Sequence, residues 1–392
     1  MLNPDTLPDF QRAIADAGLD GWLLYDFRNC NPIAQSVAGV GGHITRRFLV
    51  WIPREGMPTA VTHAIEQTIW NGWSEEFARV IYASWSGLEE QVAALVGGKR
   101  IAMEYSPGDA VPVVDRVPAG VLEMVRGKGA TVVSSGDLVT RFYAMWSPSG
   151  LASHRRAAEH VARIAREAMQ VAGTRVRAGE SVTEYDLQRW IVDAFTRAGL
   201  ETDHPPNVSI GANAANPHYQ PSASSSSPLV NGETLLIDLW ATEPDGIYAD
   251  QTYMGALGTP SDRAVDIWQA VRDARDAAIA TARALAETRS RPSGAVIDDA
   301  AREVVRARGY ADWFFHRTGH SIDARDLHGA GPNLDNLETR EERLLLPGVG
   351  FSIEPGVYIA GEIGVRSEVN AYYGDGELIV TPMAYQTDLF LL

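Results

Sequence analysis

Thr234-Leu-Leu-Ile-Asp238-Leu-Trp-Ala241 runs into Thr242-Glu-Pro-Asp-Gly246 and then Ile247-Tyr-Ala-Asp250-Gln-Thr-Tyr253. The outer segments are rich in β-branched, aliphatic and aromatic residues, and the middle one is turn chemistry, so the stretch predicts a β-hairpin. A hairpin symmetric about Pro244 sets Asp238 directly opposite Asp250, where Cβ atoms stand about 5 Å apart. Asp is depleted in strands. Two ionised carboxylates flanked by Leu236, Ile237 and Leu239 repel one another and lose hydration, so a positive charge is expected between them.

The arrangement recurs downstream. Phe351-Ser-Ile-Glu354-Pro-Gly-Val-Tyr358-Ile is followed by Gly361-Glu362 and by Gly364-Val-Arg366-Ser-Glu368-Val-Asn370. Symmetry about Gly361 sets Glu354 opposite Glu368. Arg366, Glu368 and Asn370 share one face by the period of two, and Pro355 predicts a break in the ladder. Between the two hairpins lies His316-Arg-Thr-Gly-His320-Ser-Ile-Asp-Ala-Arg-Asp-Leu-His328, a concentration of imidazoles in a chain with nine histidines. Carboxylates with a neutral imidazole suit hard divalent ions, Mn²⁺ first, with Co²⁺ or Zn²⁺ as alternatives. Four carboxylates balance two such ions and leave room for a bridging hydroxide. Two ions about 3.5–4 Å apart can lower the pKa of a shared water and hold a hydrolytic transition state. Singly, a strand Asp, a loop His or a Glu-Pro-Gly turn is ordinary structure. Four strand acids in matching hairpins with a histidine cluster between them point to one metal site.

Around these hairpins the chain reads as two successive patterns. Leu7, Phe10, Ile14 and Ala17 mark a helix ending near Gly18, and apolar runs at 22–25, 48–52, 79–82, 101–103 and 132–133 alternate with helical patterns near 64–73, 87–96 and 119–128. That is an α/β domain on one sheet. Gly39-Val40-Gly41-Gly42 lacks the spacing of a nucleotide fingerprint and reads as a loop. Ser147-Pro148-Ser149-Gly150 is punctuation, and domains 1–148 and 149–392 are expected. Then come a helix over 151–172, a helix opened by a Ser181/Glu184 capping box and closed at Gly199, and strands at 206–211, 234–241 and 247–256. Helices at 262–287 and 294–308 and strands at 350–359 and 363–373 repeat that order, predicting two related halves around one sheet. The serine run Ser224–Ser227 is a loop with no nucleophile elbow.

Composition narrows the function classes. With 392 residues, a 45% hydrophobic fraction and 21% charged, the chain is globular. Lys and Arg total 34 against 50 Asp and Glu, a net charge of −16, which repels nucleic acid. No apolar run reaches the roughly 18 residues of a membrane span. MLNPDTLPDF lacks signal-peptide character, and the single Cys30 makes no intrachain disulfide, so cytoplasmic residence is expected.

Leu235–Leu239, Tyr248–Thr252, His316–Ser321, Ser352–Tyr358 and Gly364–Asn370 resemble, in order, the motifs of the pita-bread metallopeptidases: Xaa-Pro dipeptidase (prolidase), aminopeptidase P and methionine aminopeptidase. The resemblance implies a creatinase-like α/β N-terminal domain followed by an α+β pita-bread (creatinase/aminopeptidase) catalytic domain with pseudo-twofold halves. It implies that Asp238 ligates one ion, that His320 and Glu354 ligate the other, and that Asp250 and Glu368 bridge both. Glu354 would also shuttle a proton. His218 and His328 match histidines near the substrate carbonyl and leaving group. His316, Tyr358 and Arg366 match positions around the proline pocket, Arg366 being suited to a substrate carboxylate. The sequence departs from the family in three places. His320 and His328 are one residue further apart, with Asp323 in place of the usual Gly; Gln251 replaces an aliphatic residue; and Ser367 replaces a larger apolar one, which widens the pocket.

The expected function is hydrolysis of the Xaa-Pro imide bond, first in dipeptides; the alternative is aminopeptidase P, acting on Xaa-Pro-Yaa peptides. A non-peptidase creatinase-like hydrolase or an inactive binding module is a third reading, against which the retention of all five ligand positions argues. The resemblance also implies a homodimer, with which the tryptophans of the first 100 residues (Trp22, Trp51, Trp70, Trp73, Trp85) are consistent, core packing explaining them equally well.

Overall fold

The computed structural model describes all 392 residues, which form two compact units, Met1–Tyr143 and Ala144–Leu392. The first contains α1 (Leu7–Asp16), β1 (Gly21–Asp26), α2 (Pro32–Ala38), β2 (Phe48–Pro53), β3 (Thr59–His63), β4 (Ala78–Tyr82), α3 (Trp85–Val96), β5 (Arg100–Met103), α4 (Ala119–Gly127), β6 (Thr131–Ser134) and α5 (Gly136–Val139). The strands make one mixed sheet in the order β4-β3-β2-β1-β5-β6. Leu23, Leu49, Val61 and Ile101 from the sheet pack on Leu88, Val92, Leu122 and Val125 from the helices. The helix expected near 64–73 is absent. β-branched Thr59, Val61 and Thr62 make β3 just before it, and only a single 3₁₀ turn, Thr68–Trp70, follows, ended by Asn71-Gly72. Gly39 is the left-handed cap (φ +68°) of α2, a helix the sequence reading passed over. Trp22, Trp51 and Trp70 are buried core residues, while Trp85 is 71% exposed, so most of these indoles serve packing within the unit.

The second unit begins with α6 (Pro148–Arg177), capped by the Ser147 hydroxyl, which accepts from Gly150 N–H at 3.0 Å. α7 (Glu184–Ala198) follows, then β7 (Asn207–Ile210), β8 (Thr234–Ala241) and β9 (Ala249–Ala256). The order then repeats with α8 (Asp262–Glu287) and α9 (Ala295–Ala307), followed by β10 (Ser321–Ile322), β11 (Val349–Ile353), β12 (Gly356–Ile359), β13 (Ile363–Arg366), β14 (Val369–Tyr373), β15 (Leu378–Thr381) and β16 (Phe390–Leu391). The capping box is Thr183/Asp186, not Ser181/Glu184. Glu184 is instead buried, its carboxylate accepting from the N–H groups of Ile210 and Ser227, from Asn213 Nδ2 and from the Tyr219 hydroxyl.

The halves do not share one sheet. One four-stranded sheet runs β16-β9-β8-β7, a second runs β10-β11-β14-β15, and β12-β13 form a separate ribbon. Each half buries its helices on its own strands: α6 and α7 against Leu235, Ile237 and Leu239, α8 and α9 against Phe351, Ile353 and Val369. The sheets meet where β9 lies beside β14. There Asp250 N–H donates to Asn370 Oδ1 at 2.8 Å and Glu368 N–H to the Thr252 carbonyl at 3.4 Å.

Candidate metal centre

The β8–β9 ladder pairs Asp238 with Thr252 and Trp240 with Asp250, so the two aspartates are not directly opposed. The hairpin is centred on Asp245, which takes a left-handed conformation (φ +57°) at its tip, rather than on Pro244. The resulting slip is two residues, which preserves the face. Asp238 and Asp250 therefore still point the same way, one diagonal apart. Gln251 points the other way, where its amide Nε2 donates to the Ala158 carbonyl on α6 at 2.9 Å.

The second hairpin keeps one register throughout. β11–β14 pairs Ile353 with Val369, and β12–β13 pairs Gly356 with Arg366, so both ladders are symmetric about Gly361. Between them the ladder breaks at Pro355, whose carbonyl accepts a single long bond (3.4 Å) from Ser367 N–H. Glu354 and Glu368 occupy this break. Arg366, Glu368 and Asn370 all face β9, as the period of two requires: Arg366 Nε donates to Thr252 Oγ1 at 2.9 Å, and Glu368 Oε2 lies 2.8 Å from the same hydroxyl.

These strands and the His320 loop bring five donors together. Single ligand atoms of Asp250, His320 and Glu368 all lie within 4.8 Å of one another. His320 Nε2 is 3.4 Å from Asp250 Oδ2 and 3.5 Å from Glu354 Oε1. Asp238 joins the group through Thr252, whose hydroxyl is 3.2 Å from its Oδ1. Asp238 also forms an ion pair with the buried Arg366 guanidinium. That pairing alters the expected charge balance, because one of the four carboxylates already has a cation beside it.

The electrostatics are those of crowded acids. Burial pushes Asp238 up to about 7 against the opposing pull of Arg366. Burial also raises Asp250 and carries Glu368 well above the carboxylate range, with Asp250 and Glu354 adding to it. Glu354 goes the other way. Burial would raise it, but the positive His320 and Arg366 outweigh that and hold it low. His320 is lifted, since Asp250 and Glu354 overcome the desolvation of its charged form.

The donor set fits divalent cations. Asp250 Oδ1 and Glu368 Oε1 are buried without any hydrogen-bond partner, an arrangement that destabilises a folded protein unless a ligand satisfies it. His320 Nδ1 is 3.0 Å from the Ser321 carbonyl. A carbonyl only accepts, so Nδ1 carries the hydrogen. The neutral ring then aims its Nε2 lone pair at two carboxylate oxygens, which requires a proton or a cation between them.

The remaining expected residues divide. His316 and Tyr358 meet directly: His316 Nδ1–H donates to the Arg317 carbonyl at 2.7 Å, leaving Nε2 to accept from the Tyr358 hydroxyl at 2.9 Å. Arg366 lies inside the cluster, engaged with Asp238 and Thr252, and within 3.4 Å of the Tyr358 hydroxyl. His328 and His218 are both exposed. The His328 ring stands edge-on to His320 with centroids 4.2 Å apart, and the positive charge of His320 pushes it down to about 4, with His218 acting in the same direction. Ser367 opens no pocket, because its hydroxyl accepts from the fully buried Arg275 at 2.7 Å.

Two residues of the site escaped the sequence reading. Thr252 links Asp238, Glu368 and Arg366. Ser352 accepts from His320 N–H at 2.9 Å and donates to Glu354 Oε1 at 3.0 Å. Both sit two residues from a carboxylate on the same strand face, which is the signal that could have found them.

Known proteins share this arrangement of chain. A 36% identity over 161 residues relates it to an Xaa-Pro dipeptidase of Lactobacillus helveticus, covering 41% of this chain and 40% of that protein. The chain thus spans less than half the length of that curated relative. The crystal structure of dipeptidase PepE from Mycobacterium ulcerans superposes with a TM-score of 0.74 at 22% identity, covering 99% of this chain and 97% of that one. That of a prolidase from Thermococcus sibiricus gives 0.66 at 21% identity over the full length of both. The fold is the pita-bread fold, with a creatinase-like N-terminal domain. The profile of metallopeptidase family M24 matches residues 152–372, more than half of the chain, and spans every carboxylate and histidine of the cluster, so the chain belongs to that family.

Proposed function

We propose that this protein hydrolyses the Xaa-Pro imide bond of dipeptides, using two divalent metal ions held by Asp238, Asp250, His320, Glu354 and Glu368. The observation that carries the reading is the convergence of four carboxylates and His320 Nε2, with buried oxygens of Asp250 and Glu368 lacking any other partner. Asp250 and Glu368 would bridge the ions, Asp238 would hold one, and His320 and Glu354 the other. An oxygen-rich set of this kind favours Mn²⁺ over Co²⁺ or Zn²⁺. When bound, the ions would supply Lewis acidity at the scissile carbonyl and a water acidic enough to ionise near neutral pH.

The chain's own groups do the rest. Glu354, whose carboxyl the Arg366 guanidinium pulls down, accepts the proton of the attacking water and delivers it to the departing prolyl nitrogen, which has no hydrogen of its own. Ser352 holds the Glu354 carboxylate and the His320 backbone in fixed relation. His316, locked by Arg317 and Tyr358, forms with Tyr358 an aromatic wall for the pyrrolidine ring. His218 and His328, on the solvent side, orient the substrate carbonyl and the leaving group. The protein is read as a cytoplasmic homodimer; sedimentation velocity of the purified chain checks the assembly.

Aminopeptidase P activity is the second reading, and one observation favours it: Arg366, the cation expected for a dipeptide's carboxylate, is already paired with Asp238. Turnover of an Xaa-Pro dipeptide compared with an Xaa-Pro-Yaa tripeptide, each with added Mn²⁺, decides between them. A dipeptide left intact while the tripeptide is cleaved rules out the dipeptidase version.

A further inference from the structure

The segment between His320 and His328 is longer than expected by one residue, and a buried carboxylate organises it. Asp323 has no exposed surface. Its Oδ1 accepts the N–H groups of Arg325 at 2.8 Å and Asp326 at 2.9 Å, and its Oδ2 accepts that of Ala330 at 2.9 Å. The Asp323 N–H donates back to the Asp326 carbonyl at 3.2 Å. One side chain therefore ties the start of the 323–330 loop to its middle and its end. His328 lies between two of the tied points.

The base of the loop is clamped independently. Gly329 N–H donates to the Ser321 carbonyl at 2.7 Å. Arg343, paired with Glu341, donates to the carbonyls of Ala330 and Gly331 at 2.5 and 2.7 Å. Gly329 packs so closely on Asp323 that an added Cβ would lie 2.8 Å from its backbone nitrogen and 3.0 Å from its Cβ. With the base fixed by Arg343 and the arc fixed by Asp323, the one imidazole on the loop is placed edge-on to His320 at 4.2 Å. His328 is an exposed residue, so the course of the loop backbone carries much of its placement.

We propose that Asp323 is a positioning residue for His328: its carboxylate shapes the 323–330 loop so that the His328 imidazole faces the metal centre. This rests on the hydrolase reading above, in which His328 attends the substrate. The Asp323 carboxylate forms its hydrogen bonds with the N–H groups of Arg325, Asp326 and Ala330 and none with the five donor side chains, so its loss is expected to displace His328 more than the metal ligands.

The test uses the full chain with Mn²⁺ and the better of the dipeptide and tripeptide substrates. Asp323→Ala is expected to lower kcat at least tenfold with little change in KM. The double variant Asp323→Ala/His328→Ala is expected to be no slower than His328→Ala alone, because the two residues act as one unit. Asp323→Asn keeps the two bonds to Arg325 and Asp326 but sets an amide against Ala330 N–H; it is expected to recover part of the loss and covers the case in which the alanine variant fails to fold. Mn²⁺ affinity by calorimetry should match wild type in all three. Multiplicative losses in the double variant, or wild-type kcat in Asp323→Ala, would overturn the proposal. The His328 ring resonances in ¹⁵N-histidine spectra of the metal-free full chain provide a readout independent of turnover. Wild-type shifts in folded Asp323→Ala defeat the positioning role, whereas shifted resonances in a chain inert toward every peptide retain it and defeat only the hydrolase reading.

Discussion

Thr252 has one hydroxyl hydrogen and two carboxylates within reach. Arg366 Nε occupies its oxygen as a donor, so the hydrogen goes to Glu368 at 2.8 Å or to Asp238 at 3.2 Å. Whichever acid it leaves depends on a cation for its second partner. Two predictions belong to single residues. Glu354→Gln removes the proposed proton carrier while keeping one oxygen for the proposed metal site; kcat for an Xaa-Pro substrate should fall about 100-fold, the ordinary scale of general-base loss, with KM nearly unchanged in steady-state assays. An unchanged kcat would take the proton-transfer role from Glu354. Arg366→Met leaves Asp238 buried without its cation. Urea denaturation of the metal-free protein should show a loss of about 3–5 kcal/mol, the cost of breaking one side of a buried ion pair. A loss below about 1 kcal/mol, the scale of a surface pair, would mean that the pair contributes little to the fold.

At the scale of elements, α7 tests where a helix begins. Thr183 and Asp186 reciprocate across its first turn, so Thr183→Ala should lower stability by about 1 kcal/mol in chemical denaturation, whereas Ser181→Ala should stay within about 0.5 kcal/mol, as for an ordinary surface change. Equal effects would refute the observed cap. His154 on α6 ties that helix to both halves. Its Nδ1–H donates to the Tyr248 carbonyl at 2.7 Å, and its Nε2 accepts from the Thr381 hydroxyl at 2.8 Å. Burial pushes it from 6.5 down to about 4. The folded state therefore prefers the neutral ring, and the unfolded chain takes up the proton first as pH falls. Stability from this group is complete above 6.5, declines as pH falls through the window to 4, and is flat below. Over the whole window the decline is about 3 kcal/mol. Denaturation at pH 7.5 and pH 5 should show His154→Gln losing less between the two than wild type does; parallel losses would remove His154 as the cause.

For the whole molecule, the acidic cluster couples metal binding to pH. Asp238, Asp250 and Glu368 are all raised by burial. A raised carboxylate destabilises the metal-free fold increasingly as pH rises from its unfolded value through its folded one, for Asp238 from 3.8 to about 7. Cations compete with those protons, so the Mn²⁺-induced rise in melting temperature should grow from pH 5 to pH 8. At a free concentration 100 times the dissociation constant, the stabilisation is about 2.7 kcal/mol. A shift independent of pH would mean that the ions bind elsewhere.

The β8 and β9 strands, α8, and the symmetry of the second hairpin about Gly361 were legible in the sequence, because hydrophobic period and turn chemistry are local. So was the face on which Asp238 and Asp250 lie, since a register slip of two leaves every side chain on its own side. The amino-acid sequence by itself thus determined on which faces the acids lie, that the second hairpin turns about Gly361, and that crowded carboxylates need a counterpart, while the first hairpin is centred one residue beyond the expected Pro244. Only the tertiary structure decided that the halves carry separate sheets meeting at β9 and β14, that Arg366 is paired with Asp238, that Thr252 and Ser352 link the clustered side chains, and that Asp323 ties the 323–330 loop together. Those facts depend on side chains distant along the chain sharing one desolvated space, where a hydroxyl or carboxylate acquires its partner only after packing has excluded water, and periodicity carries no record of that choice.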